Sequence, residues 1–197
     1  MNKNRLEAFS DGVLAIIITI MVLEIKIPHS SNWIDLRPLV STLTSYLMSF
    51  LFVGIYWGNH HHLLQSLKSV SSGVIWANLN LLFWLSLIPF ATGWMGENQF
   101  APNTVMVYGI LLLLCGTSFN ILQKVVETHT HDLAALKKAF VNLNKKGLVS
   151  SVSYALSIPL AYINPVFSGI IFFGVAAMWL VPDKSLEKAL LQGKKEQ

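Results

Sequence analysis

Six long apolar segments, separated by charges, prolines and polar turns, dominate the hydrophobic pattern of the chain. Their lengths exceed those of ordinary strands, and most approach the roughly 20 residues that a helix needs to cross a bilayer. The pattern therefore predicts an all-α membrane protein with six transmembrane helices per subunit. The predicted spans are 6–27, 39–59, 74–95, 104–126, 148–163 and 166–181. They form one membrane domain over residues 1–182, followed by a tail over 183–197.

Two of these predictions depend on proline. The last two spans are short and are separated by Asn164-Pro165, a turn signal. They could instead be one broken span, in which case the C-terminus would emerge on the opposite side of the membrane. In the third span, Pro89 predicts a kink, with Ser86 nearby.

The composition agrees with a membrane protein. Hydrophobic residues make up 53% of the chain and charged residues 12%, whereas an ordinary globular chain has about 25% charged residues. The mean hydropathy is +0.55. These values exclude a disordered protein and disfavour a water-soluble enzyme. The single cysteine, Cys115, excludes an intrachain disulfide framework and a cysteine-rich zinc site.

The positive charges predict the orientation. If the N-terminus is inside, Lys26 and Arg37 are the only ones of the fourteen Lys and Arg residues on the outer side. Basic residues accumulate on the cytoplasmic side of membrane proteins. We therefore expect a multi-pass protein of the cell (inner) membrane, with both the N- and C-termini cytoplasmic.

The inner loop over 132–146 has an amphipathic pattern. Leu133, Leu136, Phe140 and Leu143 recur at helical spacing, with lysines between them. The pattern predicts a separate helix lying on the inner leaflet. A basic helix for nucleic acid is the alternative, but nothing else in the sequence supports a nucleic-acid partner.

Polar residues of the first three spans fall at one membrane depth, near the inner ends. Such groups need partners in hydrocarbon and are candidates for function. Asp11 lies six residues after Arg5, on a different helical face, so its partner should come from another helix or subunit. We expect an interhelical hydrogen-bond network; simple contact with interfacial water is the alternative. The polar residues are Arg5, Ser10, Asp11, Trp57, Asn59, His60, His61, His62, Asn78 and Asn80.

The three consecutive histidines are a weak candidate for metal binding. Successive helical residues point in different directions, and no cysteine or carboxylate at ligand spacing supports His60, His61 and His62. We therefore predict no metal site. Protonation near neutral pH leaves pH sensitivity open.

A second face of the first span carries Gly12, Ile16, Thr19 and Leu23 at intervals of four, three and four residues. This stripe is small or apolar apart from one hydroxyl. Its periodicity alone favours a packing face, with Thr19 donating to the carbonyl four residues earlier.

Several motifs together are similar to those of the transmembrane protein 175 family of potassium channels. The most specific is Arg5-x-x-x-Phe9-Ser10-Asp11, followed by Gly-Val-Leu-Ala-Ile-Ile-Ile-Thr. Supporting motifs are Trp57-x-x-His60-His61, Asn80 and Ser86-x-x-Pro89-Phe90. Gly12 and the third histidine depart from the family pattern at uninformative positions.

The resemblance implies a potassium-permeable cation channel that conducts passively. It implies a homotetramer whose pore is lined by the first helix, with Ile16 at the main constriction, Thr19 in a hydroxyl ring and Leu23 in the next apolar ring. A permeating K⁺ would lie near Thr19. The resemblance also assigns a structural hydrogen-bond network to Arg5, Ser10, Asp11, Trp57, His60, His61 and Asn80.

Two other function classes stay open. Broken helices in paired halves would favour a secondary transporter of a small cation or solute. Only the third span has a central proline, and no matching half is visible. An enzyme is disfavoured because the sequence has no catalytic motif. We expect no cofactor beyond the permeant potassium ion.

Overall fold

Helices make up nearly all of the part of the chain that the computed structural model describes, residues 2–130 and 134–180. Within those residues, the β-structure is one antiparallel bridge between Leu67 and Thr130. The predicted all-helical class is therefore confirmed, while the predicted tail over 183–197 lies outside the described residues. In chain order the helices are α1 (Lys3–Leu23), a short 3₁₀ helix (Trp33–Leu36), α2 (Leu39–Gln65), α3 (Ser72–Ser86), α4 (Ile88–Glu97), α5 (Pro102–Glu127), α6 (Ala134–Ile163) and α7 (Pro165–Leu180).

Four helical segments of the described chain are long and apolar enough to cross a membrane: α1, α2, α3 with α4, and α5. The apolar helix α7 is shorter, with 16 residues. These segments make a multi-pass membrane protein. The turn predicted at Asn164 separates α6 from α7, and the Asn164 side chain accepts a hydrogen bond from the backbone N–H of Val166.

The first helix occupies a slightly different range from the prediction, beginning at Lys3 and ending at Leu23 rather than spanning 6–27. Asn2 caps its start, accepting a hydrogen bond from the backbone N–H of Asn4. Near its end, Pro28 restricts the backbone of Ile27 and disfavours helix there. The helix therefore stops before the residues that were predicted to complete the span.

The third span runs over Ser72–Glu97 and is interrupted close to Pro89, where a kink was predicted, so that it divides into α3 and α4. The break lies at Leu87, two residues before Pro89. Proline has no N–H to donate and its ring clashes with the carbonyl four residues earlier, here that of Leu85. The Ser86 hydroxyl donates to the carbonyl of Phe83 and so satisfies one backbone acceptor at the break.

The prediction of a separate surface helix over 132–146 was wrong. From Ala134 onward this segment is continuous with the fifth span, forming the 30-residue helix α6. Leu136, Phe140 and Leu143 are buried in the core rather than lying on the membrane surface; Leu133 lies outside the described residues. No proline interrupts this part of α6, so the apolar side chains can pack against other helices along its length.

The helices pack closely around a common core. Helix α1 contacts α2, α3 and α4, whereas α5 contacts α3, α4, α6 and α7. Helices α2 and α4 approach closely at Gly96, where an added Cβ would lie 2.7 Å from the Cα of Thr42. Glycine is required there because any side chain would force the two helices apart.

Candidate functional site on the first helix

One face of α1 is anchored to α2 and α3 by a buried chain of hydrogen bonds. The Asn78 side-chain amide donates to the Ser10 hydroxyl oxygen at 3.0 Å, and the Asn78 carbonyl oxygen lies 2.7 Å from Nε2 of His60. Ser10 in turn donates to the carbonyl of Leu6. The side chains of Ser10, His60 and Asn78 are all buried. Because unpaired polar groups are costly away from water, this arrangement fixes the position of α1.

A second contact joins α1 to α2 in a more exposed position. The indole N–H of Trp57 donates to the Asp11 carboxylate at 3.0 Å. At the start of α1, the Lys3 ammonium donates to the backbone carbonyl of Gln65 at 2.8 Å. Asp11 directly follows Ser10, and Lys3 lies about two turns before it, so the first half of α1 is held along its length.

The predicted network is smaller than the sequence suggested. The Arg5 side chain is exposed and makes no hydrogen bond or ion pair within residues 2–130 and 134–180. His61 interacts with Gln65, one turn away on its own helix. Asn80 donates to Ser118 of α5 at 2.8 Å, because residues two apart on α3 point in different directions and Asn78 already faces α1.

Asn78 is the central residue of this network, although the family motifs did not assign it. It shares a buried face of α3 with Val74, Leu81 and Leu85. An amide in the middle of an apolar helical face needs a partner from another helix. That periodicity was the signal that distinguishes Asn78 from Asn80.

The opposite face of α1 carries the stripe of Gly12, Ile16, Thr19 and Leu23, and all four residues are exposed in the subunit. Ile16 is 58% exposed and Leu23 is 80% exposed, whereas Leu14, two residues before Ile16, is 1% exposed. The stripe is therefore not a packing face within one subunit.

The Thr19 hydroxyl donates its proton in a hydrogen bond to the helix backbone. Its hydroxyl donates at 2.9 Å to the carbonyl of Ile16, three residues earlier rather than the predicted four. With the proton engaged, the lone pairs of the hydroxyl oxygen are available as acceptors on an exposed surface. An oxygen of this kind can contact a cation.

Metal binding has no support from the histidines. Across the described ranges, no group of three or more His, Cys, Asp or Glu side chains is placed to hold a metal ion. His60 is engaged with Asn78, and His61 stacks on the Trp57 ring.

Comparison with known proteins identifies the family. A potassium channel of Chryseobacterium sp. (strain P1-3) is 47% identical over 190 residues, which are 96% of this chain and 98% of that protein. The family model for the endosomal/lysosomal potassium channel TMEM175 matches residues 5–89. The chain belongs to the TMEM175 family. The resemblance of its sequence motifs is thereby confirmed, and the family is one of channels rather than enzymes.

Other TMEM175 relatives match over most of the chain. A potassium channel of Streptomyces collinus is 29% identical over 175 residues, covering 83% of this chain and 85% of that protein. The crystal structure of a lysosomal potassium-selective channel TMEM175 homologue from Chamaesiphon minutus aligns with a TM-score of 0.81 at 26% identity. That match covers 93% of this chain and 97% of the other, so the fold is shared from α1 to α7.

Proposed function

We propose that this protein is a potassium-permeable channel in which four copies of α1 surround the conduction path. The observation that carries the proposal is the division of α1 into two faces. Ser10 and Asp11 bond one face to the rest of the subunit, while Ile16, Thr19 and Leu23 are exposed on the other. A helix held in this way can present the same stripe to a symmetry axis in every copy.

The stripe suggests how such a pore would work. Rings of Ile16 and Leu23 would be apolar, and a narrow apolar ring resists wetting and acts as a barrier. Conduction then requires the rings to widen. The Thr19 oxygens, between the two rings, would replace part of the hydration shell of a passing K⁺. Because this path lacks a filter of many carbonyl rings, we expect modest selectivity for potassium over sodium.

The buried bonds of α1 give the pore a fixed register. A rotation of α1 by one residue, about 100°, would turn Ile16 away from the axis. The Asn78 amide opposes such a rotation, because Ser10 would leave its hydrogen-bond partner on α3. In this proposal Ser10, Asp11, Trp57, His60 and Asn78 position the pore helix and do not contact the ion.

The proposed setting is the cell membrane. With α3 and α4 counted as one span, the helices cross six times and both termini face the cytoplasm. The α6 and α7 spans complete this count. The strong excess of lysine and arginine on the N-terminal side supports the orientation.

A secondary transporter is the second candidate, and the interruption at Leu87 favours it. Transport sites are often built from broken helices in two related halves. The α3–α4 break has no counterpart among the other spans of the described chain. Uphill accumulation of a solute, driven by a second ion, would support the transporter over the channel.

The test is electrical recording from the purified full chain in planar bilayers with potassium and sodium on opposite sides. If the proposal holds, the recordings will show unitary current steps. The reversal potential will be displaced from zero toward the equilibrium potential of potassium. Ile16→Asn should raise the current by wetting the constriction. Val13→Asn, on a half-buried part of the same helix, is a control for the effect of a polar residue elsewhere on α1. Equal permeability to the two ions, or unchanged current in Ile16→Asn, would contradict the proposed pore.

A further inference from the structure

The two halves of α1 differ in how they are attached to the rest of the subunit. Lys3, Ser10 and Asp11 make hydrogen bonds to other helices, and all three lie in the first half. Beyond Asp11, the residues that the structure describes show one polar contact between α1 and another helix, in which Oγ1 of Thr92 lies 4.0 Å from Sδ of Met21. Because sulfur is a weak acceptor, the second half of α1 is held mainly by packing.

Helix α4 provides part of that packing. A Cβ added at Gly93 of α4 would lie 3.9 Å from the Cβ of Glu24, which directly follows the last residue of α1. Thr92, the residue before Gly93, is the one that contacts Met21. Because the third span is interrupted at Leu87, α4 is not held in place by a continuous helix. Its position behind α1 therefore depends on the contacts of its own ten residues.

Three buried hydroxyls, each from a different helix, meet beside α4. They belong to Ser49 of α2, Thr92 of α4 and Tyr108 of α5, and we call them the hydroxyl chain. Thr92 donates to the Ser49 oxygen at 2.7 Å, and the Ser49 oxygen lies 2.9 Å from the Tyr108 oxygen. A hydroxyl has one proton and two lone pairs, so Ser49 can accept from Thr92 and donate to Tyr108. All three side chains are at most 4% exposed.

The hydroxyl chain lies within an otherwise apolar core. Phe52, Met95 and Leu112, each about one turn from a member of the chain on the same helix, are buried apolar residues. A buried hydrogen bond adds little net stability compared with apolar groups of the same shape, but it requires its partner at one distance and in one direction. The hydroxyl chain therefore specifies where α4 lies against α2 and α5.

We propose that the hydroxyl chain positions α4 behind the second half of α1 and so opposes widening of the proposed constriction. This inference rests on the proposed function, because the constriction rings exist only if four copies of α1 share an axis. Met21 is buried on the face of α1 opposite to the exposed stripe, so widening the rings moves the second half of α1 toward α4. Displacing α4 from α2 and α5 breaks the hydrogen bonds of the chain. Its three members are thus positioning residues that do not contact the ion.

The experiment measures the ratio of open to closed time in unitary recordings from the purified full chain, in planar bilayers with potassium on both sides. Ser49→Ala removes the central hydroxyl and should raise this ratio about threefold, the average worth of an interhelical hydrogen bond in a membrane protein. Thr92→Val should raise the ratio as well, whereas Thr92→Ser retains the hydroxyl and should match the wild type. Tyr108→Phe keeps the ring that packs on Phe172 and should also raise the ratio.

A double variant tests whether the hydroxyls act as one unit. Thr92 also donates to the carbonyl of Ile88 in its own helix, and Ser49→Ala leaves that hydrogen bond intact. The ratio in the Ser49→Ala/Thr92→Val variant should equal that of the larger single effect, because Ser49→Ala alone disconnects α4 from α2 and α5. A rise of about ninefold, the product of two independent threefold effects, would overturn the chain as a unit.

Ser168→Ala is the matched control for the loss of a buried hydrogen bond elsewhere. Ser168 of α7 donates to the carbonyl of Ser157 in α6 at 2.7 Å, and both residues are fully buried. The variant should lower the unfolding temperature in detergent about as much as Ser49→Ala, with an unchanged ratio of open to closed time. An equal rise of the ratio in Ser168→Ala would show that any loosening of the subunit has this effect, and would overturn the inference.

The outcomes separate this inference from the proposed function. Absence of unitary potassium currents in the wild type would overturn both. Wild-type currents with an unchanged ratio in Ser49→Ala, Thr92→Val and Tyr108→Phe would overturn the role of the hydroxyl chain and leave the proposed channel intact. A lower unfolding temperature in these variants without a change in the ratio has the same meaning, because a purely structural contact gives that result.

Discussion

The two faces of α1 differ in their burial and in their hydrogen bonds to neighbouring helices. On one face, Leu14 and Ser10 are buried, and Ser10 is bonded to Asn78 of α3. On the other, Ile16 and Leu23 are as apolar as any core residue but remain exposed in the subunit. Hydrophobicity alone therefore does not distinguish a core residue of α1 from one that is exposed in the subunit. The distinction comes from which face carries the hydrogen bonds to neighbouring helices.

The largest expected difference between the two faces is in stability. Leu14→Ala should lower the free energy of unfolding by about 2–5 kcal/mol, because it leaves a cavity in the core. Ile16→Ala, two residues away, should change it by less than about 0.5 kcal/mol, as at an exposed site. Thermal unfolding in detergent measures both. Similar losses in the two variants would show that Ile16 is packed against protein, and would contradict the two-face division.

Next in size is the loss of the buried amide. Asn78→Leu leaves Ser10 and His60 without their interhelical partner, and should cost about 1–3 kcal/mol. Unfolding followed in detergent gives this value. Asn80→Leu is the matched control on the same helix, since it removes the contact with Ser118 and leaves α1 untouched. Channel currents should change in Asn78→Leu and not in Asn80→Leu; the reverse result would remove Asn78 from the positioning of α1.

A smaller effect is expected at the exposed contact. Trp57→Phe keeps an aromatic ring, although a smaller one, and removes the N–H that donates to Asp11. Because solvent can replace this hydrogen bond, the cost should be under about 1 kcal/mol. The melting temperature should fall slightly and the conductance should be retained. A cost as large as that of Asn78→Leu would show that Asp11 is desolvated in the assembled protein.

The smallest change concerns selectivity. Thr19→Ala removes one hydroxyl from the exposed face and should leave the unfolding free energy nearly unchanged. A twofold loss of preference for potassium would shift the reversal potential between potassium and sodium by about 18 mV, since tenfold corresponds to about 59 mV for a monovalent ion. Thr19→Ser, which retains the hydroxyl, should show no shift. An equal shift in both variants would assign the effect to the methyl group instead.

The sequence predicted which segments are helical better than it predicted where each helix begins and ends. Apolar length identified α1, α2 and α5, because crossing a bilayer constrains composition strongly. Apolar length did not predict that residues 134–147 belong to the same helix as the fifth span. A sequence with lysines among apolar residues is compatible both with a helix on the membrane surface and with a helix packed in the core. Only the burial of Phe140 and Leu143 by other helices distinguishes the two cases.

The candidate site was also partly predictable. Polar groups at one depth identified the region, and the pairing of Asp11 with Trp57 follows from an acid and an indole donor near the same membrane face. Which of Asn78 and Asn80 contacts α1 depends on how α3 is rotated about its axis. That rotation is set by the packing of α3 against α1 and α5 together. Arg5 could not be placed from the sequence, since its length allows it to reach several neighbours or none.

The antiparallel bridge between Leu67 and Thr130 has a mechanical consequence. It ties the turn after α2 to the turn after α5, reinforced by the hydrogen bond from the Lys68 N–H to the His129 carbonyl. Lys3 attaches the start of α1 to the same turn through Gln65. Together with the contacts of Ser10 and Asp11, this attachment holds the first half of α1 in place. Any tilt of α1 would therefore displace Leu23, which is further from the attached half, more than Ile16.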